Sequence, residues 1–421
     1  NAETWFIIST LLAPIGFVLQ DVVADALTVE AIPKTDEKGN EIDFKTLKSL
    51  NIVMQLLGRV SIISGTLLVS LVNLVMFSDS SEMSENEKII TYGKIYLYSL
   101  IVPAISIIGV LFSYINSKSR LNELVKNGLA FEKAYNLIYP ISKTTKPNPS
   151  IIIGSLIFVI FTLSIGFSKI PFSQEIVFIG SLSIIVYLLI TLSSQLDAVS
   201  KRMLIGTAIV IFVFRAMPGV GPGASWFEID ILKFDQEFLS FLGLIASILT
   251  IFGIFVLRPL MENSSMSRLI VILSIAGSIF LLPSLGMFYG IHEITSKITN
   301  GIVDARFIAI FNTALESPLG QVSMIPILAW IAQSAPSHLK ATFFAVLASF
   351  TNLALSASNL GTKYLNQIFV VTREVKSKSG EVTTQADYSE LGILLITVLL
   401  LTLILPILAT IFIRKLKLIA Y

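Results

Sequence analysis

The sequence predicts an all-α polytopic membrane protein with eleven transmembrane helices. Three observations carry this. The 421 residues are 54% hydrophobic and only 14% charged, with a mean hydropathy of +0.82, whereas a soluble domain carries about 25% charged residues. Apolar stretches long enough to cross a hydrocarbon core of about 30 Å, roughly 17–25 residues each, recur along the whole chain. Lys and Arg gather on alternate loops. No stretch alternates as a membrane β-strand does, so helices must satisfy the backbone in lipid.

In chain order the expected spans are 5–31, 50–77, 95–117, 151–167, 176–196, 203–217, 239–257, 269–290, 303–333, 341–370 and 389–413. Loop charge sets their orientation. With the end of the first span inside, Lys34, Lys38, Lys45 and Lys48 fall in the cytoplasm, as do Lys118, Arg120, Lys126 and Lys133 after the third span. Arg414, Lys415 and Lys417 then place the C-terminus in the cytoplasm. An odd number of spans leaves Asn1 outside. The chain opens without Met and without a basic run before its first apolar stretch, so no signal peptide is expected. An odd number of helices is expected to be missing upstream.

Two connections have character. "KSRLNELVKNGLAFEKAYNLIYP" (118–140) places Leu121, Leu124, Val125, Tyr135 and Ile138 near one helical face with charges opposite. This reads as a cytoplasmic interfacial helix, with a solvated linker as the alternative. "TTKPNPS" (144–150) breaks the chain before the next span. The polar segment 371–388 is expected to form an external hairpin around Ser379-Gly380.

Composition excludes several function classes. The formal net charge is +2 and no basic run is interleaved with aromatics, so no nucleic-acid partner is expected. There is no Cys, and His292 and His338 are the only histidines. Disulfides, thiolate nucleophiles and Cys/His zinc sites are thereby excluded. No cofactor and no metal site are expected. The lipid bilayer and a small solute remain as partners.

Polar groups inside spans supply the candidate site. Asp21 and Asp25 lie four residues apart in the first span and so share a helix face, with Thr28 following. A central Asp costs about 2.5–3.5 kcal/mol to insert, so such groups face a polar cavity or a partner. Two close carboxylates suit a proton-coupled step; a structural pair buried against Arg59 is the alternative. Arg59 follows Gln55 by one turn on the second span. Arg215 closes the sixth span in "FVFRAMPGVGPGASWF", whose Pro218 and glycines end the helix and read as a turn rather than a phosphate loop. "NTALESPLGQVSMIP" (312–326) puts Glu316 and Gln321 in the ninth span, with Pro318 and Gly320 loosening it. Broken polar helices are a transporter habit, and a plain kink is the alternative. Ser349, Asn352, Ser356, Asn359 and Lys363 form one polar stripe along the tenth span. The stripe either lines a water-filled path or joins helices by hydrogen bonds.

Enzyme readings fare worse. "HEIT" (292–295) lacks the second His of a zinc protease. An intramembrane aspartyl protease needs Asp on two helices. The rival that keeps a spacing match is a Mg²⁺-dependent membrane transferase, in which "DVVAD" would hold a diphosphate-bound metal. No second such pair stands in the chain.

"QDVVADALTVE" resembles the fourth-helix signature of the folate–biopterin transporter family, a branch of the major facilitator superfamily. "FRAMPGVGPGASWF", "LESPLGQVSMIPILAWIAQSAP" and "KATFFAVLASFTNLALSASNLG" follow in the family's order. The first element is shared with muropeptide permeases, which stand as the alternative solute class; the later elements favour the folate–biopterin branch. Lys340 stands where the family tends to carry an acidic residue ahead of the position of Thr342. The resemblance implies a major-facilitator-type two-bundle fold. Residues 1–117 would be the last three helices of the N-terminal bundle and 118–150 a cytoplasmic amphipathic linker. Residues 151–200 would be an inserted helix pair and 201–421 the C-terminal six-helix bundle. It further implies a secondary active transporter, not an enzyme, moving folate or pterin-like molecules by alternating access with proton symport. Asp21, Asp25, Arg59, Gln55, Arg215, Glu316, Gln321, Asn352 and Asn359 are its candidate substrate and coupling residues.

Overall fold

Helices dominate the computed structural model, which describes residues 2–30, 42–76, 84–138, 149–168, 170–194, 196–334, 340–376 and 382–418. The chain divides into two units, one of residues 1–63 with 150–421 and one of residues 64–149. The helix α2 (Phe44–Met76) runs through the boundary.

The smaller unit continues α2 into α3 (Glu85–Ser99), α4 (Ile101–Lys126) and α5 (Phe131–Ile138). Ser84 caps α3 by accepting from Glu87 N, while the Glu87 side chain accepts from Ser84 N, which satisfies two terminal donors at once. The α4 helix presents Ile108 and Phe112 outward along its length, the pattern of a helix that faces lipid. The interfacial helix expected over 118–140 is divided in two. Its first part belongs to α4, and the chain then turns at Asn127–Leu129. Gly128 adopts φ +92°, which glycine reaches without a Cβ clash. The Gly128 and Leu129 amides donate to the Val125 and Leu124 carbonyls, ending the helix in a left-handed cap. Of the expected apolar face, Leu121 is buried, but Val125 and Tyr135 are exposed.

The larger unit begins with α1 (Ala2–Glu30) and the first half of α2. It resumes with α6 (Pro149–Phe167), α7 (Ser173–Ser193), α8 (Ala198–Arg215), α9 (Pro222–Asp230), α10 (Gln236–Val256) and α11 (Arg258–Asn263). After these come α12 (Met266–Phe288), α13 (Ile291–Ile298), α14 (Ala305–Glu316), a 3-10 turn (Ser317–Leu319), α15 (Gly320–Ser334), α16 (Lys340–Ile368) and α17 (Leu391–Lys415). Asp197, Asp235 and Asp304 cap α8, α10 and α14 by accepting from backbone amides of the first turn. One core joins α7, α8, α15 and α16 through Leu188, Ile211, Ile331 and Phe343. A second seats Ile52 and Leu56 of α2 against Ile254, Leu269 and Ile325. The α17 helix packs along α12, and α1 along α16.

Every expected span coincides with a helix or with two helices in succession. Among the described residues, six segments are long and apolar enough to cross a membrane: Lys45–Val69, Ile89–Lys126, Ser173–Ser193, Met266–Phe288, Thr342–Ile368 and Leu391–Lys415. Ile8–Asp21, Ile152–Phe167 and Phe241–Val256 are shorter apolar helices. The polar segment 371–388 carries a hairpin, with Val375–Lys376 antiparallel to Val382–Thr384. Its expected turn at Ser379-Gly380 lies outside the described residues.

Candidate functional site

The sequence-derived candidates fall in three places of the larger unit. The first comprises the acidic pair of α1 and, apart from it, the arginines of α2 and α8. The α1 helix runs unbroken through positions 21 and 25, so both lie on one face. Asp21 is exposed and makes no ion pair among the described residues; the Asp25 side chain lies outside them. Gln55 is buried within α2, and Arg59 is half-buried one turn further on. Arg59 stands near enough to Arg215 for the two positive charges to repel. Arg215 ends α8, where Pro218 and the glycines that follow stop the helix. It is half-buried; its Nη1 donates to the Met324 sulfur at 2.8 Å, and its buried Nε has no partner among the described residues. Thus guanidinium groups from two helices act on each other electrostatically, and the Arg215 Nε is unsatisfied among the described residues.

The second place is the break between α14 and α15. Ser317-Pro318-Leu319 forms the 3-10 turn, as a proline that removes a backbone donor and a following glycine would dictate. Glu316 closes α14, exposed, and accepts from Asn312 Nδ2 at 3.5 Å. Gln321 stands in the first turn of α15, with its Oε1 buried and without a partner among the described residues. The α10 helix braces the break, because Thr250 Oγ1 donates to the Ser317 carbonyl at 3.0 Å. The expected loosening of the ninth span is therefore a real interruption, with the Ser317 carbonyl accepting from a neighbouring helix.

The third place is the outward face of α16. Ser349, Asn352 and Ser356 line a cavity of about 620 Å³ between α16 and the pair α6–α7. Arg215, Glu316 and Gln321 are not among its lining residues. Asn359 is exposed one turn beyond Ser356. Lys363 ends the stripe in an ion pair with Glu175 of α7 at 2.7 Å, and Tyr364 Oη donates to the same carboxylate oxygen. The stripe thus faces α6 and α7, because α7 packs directly on α16.

Two features had no signal in the sequence reading. Near the start of α2, Lys48 Nζ donates to the Ser264 carbonyl at 2.9 Å, and Ser49 Oγ to Glu262 at 2.8 Å, while Arg258 also holds Glu262. These polar residues lie at span ends, where charges are ordinary, and only the fold shows that they meet. Outside the spans, Arg373 grips Asp230 through two hydrogen bonds of 2.8 and 2.7 Å, and Tyr388 Oη donates to it at 2.7 Å. The Arg373 guanidinium holds the Asp230 carboxyl below its ordinary range, while burial and the bond to Asp230 push Tyr388 up to about 12.

The BT1 family model matches residues 2–420. No curated protein and no solved structure matches the chain.

Proposed function

Because the chain belongs to the BT1 family, the folate–biopterin transporters, we propose that it moves folate or a related pterin across a membrane by alternating access, coupled to protons. Eleven helices cross the bilayer in this reading, and the C-terminus is cytoplasmic. Residues 1–117 end the N-terminal bundle and 118–150 are the linker. Residues 151–200 are the inserted pair and 201–421 the C-terminal bundle. The bundles rock about a midplane site.

One observation carries the substrate end of the proposal: the Arg215 guanidinium, half-buried, with an unpartnered Nε and a second guanidinium nearby. A half-buried guanidinium with an unpartnered donor is costly until an anion joins it. The carboxylates of a folate-like cargo meet that demand, and a guanidinium receives a carboxylate through paired hydrogen bonds. Asp21 and Asp25 exchange a proton or engage Arg59 in one state of the cycle. Gln55, Glu316 and Gln321 supply polar contacts on the way, the last two from a helix already interrupted, while Asn352 and Asn359 extend the path along α16.

Uptake of labelled folate into proteoliposomes holding the intact protein, under an inward proton gradient, tests this reading. Accumulation above protein-free vesicles, reduced in Asp21→Asn or Asp25→Asn and less dependent on pH there, is the expected result. No accumulation of either folate or biopterin overturns it.

A further inference from the structure

The cavity between α6, α7 and α16 has an unusual lining for a membrane protein. Its polar members are Ser155, Ser181, Thr342, Ser349, Asn352 and Ser356. Among the described residues, none of these six side chains makes a hydrogen bond within the protein. Their neighbours behave differently. Ser183 and Thr191 of α7 donate to the carbonyls of Ile179 and Tyr187, at 2.8 and 2.9 Å. Thr351 and Ser358 of α16 donate to the carbonyls of Ala348 and Met217, at 2.9 and 2.6 Å. Serine and threonine in a helix commonly satisfy themselves on their own helix, as Ser183, Thr191 and Thr351 do. Ser181 does not, although it is only 3% exposed.

We propose that this cavity binds an uncharged, hydrogen-bonding heterocycle, namely the pterin ring of the cargo. The lining contains no Asp, Glu, Lys or Arg. A carboxylate or a phosphate, including that of a lipid headgroup, would therefore meet no counter-charge in the cavity lining. A neutral ring presents both donors and acceptors. The Asn352 amide offers two donors and an acceptor, and each hydroxyl can act either way. Phe158, Ile184 and Leu188 give the apolar walls against which ring faces pack. The volume, about 620 Å³, lies within the usual range of small-molecule sites, about 300–1,000 Å³. Two turns beyond Ser356 the Lys363–Glu175 pair ties α16 to α7 and marks the end of the stripe. The inserted pair is then a wall of a binding site. This inference rests on the transport reading for the identity of the ring, while the uncharged, hydrogen-bonding class comes from the lining itself.

The test is equilibrium binding of tritiated biopterin to the intact protein in lipid nanodiscs. Wild type is expected to bind it. Asn352→Leu should weaken binding about tenfold, the worth of one or two hydrogen bonds, and Ser181→Ala should weaken it less. Ser183→Ala, which alters a satisfied hydroxyl on the same helix, should change nothing. Thermal stability should be unchanged in Asn352→Leu and Ser181→Ala, because neither group bonds to the protein. No binding by wild type, equal binding by Asn352→Leu, or a loss of stability that tracks the loss of binding overturns the assignment. Folate uptake by wild type that persists undiminished in both cavity variants overturns the cavity and leaves the transport reading standing. Biopterin binding without uptake of any pterin sinks the transport reading and leaves the cavity in place.

Discussion

Lys363 of α16 holds Glu175 of α7 at 2.7 Å, and Tyr364 donates to the same oxygen. Two helices that lie far apart in the chain are joined by one carboxylate. Lys363→Met and Glu175→Gln should each lower the melting temperature of the protein in nanodiscs. The double variant should lose less than the sum, because residues in one network are not additive. Additive losses would show that the pair does not couple the helices.

Gly253 of α10 is pressed against the break in the ninth span. A Cβ there would clash with the Pro318 Cα, which is backbone and cannot turn aside. Gly253→Ala should cost about 1–3 kcal/mol, the usual range for overpacking, read as a lower melting temperature. It should also depress uptake, because the 3-10 turn must move. Wild-type stability in this variant would mean that α10 and the turn are not in close contact.

Phe343 is fully buried where α16 meets α7 and α15. Phe343→Ala should cost about 3–5 kcal/mol, as large-to-small changes of an aromatic do, and Phe343→Leu clearly less. Denaturation of both variants in the same detergent gives the comparison. Equal losses would place the side chain at a lipid-facing surface instead.

The cluster of Asp230, Arg373 and Tyr388, outside the spans, gives a pH dependence with a definite sign. Asp230 is held below its unfolded value of about 4, so its contribution is present above about pH 4 and fades as pH falls through the folded value. Tyr388 is pushed up to about 12 from an ordinary 10.0, so its contribution is present below pH 10 and is lost as pH rises through about 12. The melting temperature should therefore be flat between these limits as far as this cluster is concerned. Arg373→Ala should flatten the acid limb, and Tyr388→Phe the alkaline one. Unchanged limbs in both variants would remove the cluster from the account.

Much of the architecture was legible because lipid narrows the choices. A span must be apolar and helical, and its ends are marked by Lys, Arg, Pro and Gly. Pro318 and Gly320 announced the broken ninth helix, and the polar segment 371–388 announced its hairpin. The segment 118–140 misled, because its apolar residues repeat with helical spacing on both sides of Gly128, and spacing does not register a glycine that turns. The short helix α13 was also passed over. Ile291, Ile294 and Ile298 repeat at helical intervals and are exposed, but they blend into the end of the preceding span.

The candidate site was legible as residue types and not as neighbours. The stripe from Ser349 to Lys363 is written in the spacing, but which helix it faces is a matter of packing. Ser181 and Ser183 stand two residues apart in one apolar run, and nothing in the sequence separates their roles. Arg59 was expected opposite the acidic pair, whereas its proximity to Arg215 emerges only when α2 and α8 are placed together.

Folate counterflow tests the central claim most directly. Proteoliposomes loaded with unlabelled folate and diluted into labelled folate, with no ion gradient, report translocation alone. The account predicts a transient accumulation of label in wild type that is lost in Arg215→Gln and partly kept in Arg215→Lys. A wild-type trace that matches protein-free vesicles would contradict transport, and full counterflow in Arg215→Gln would contradict the role given to Arg215.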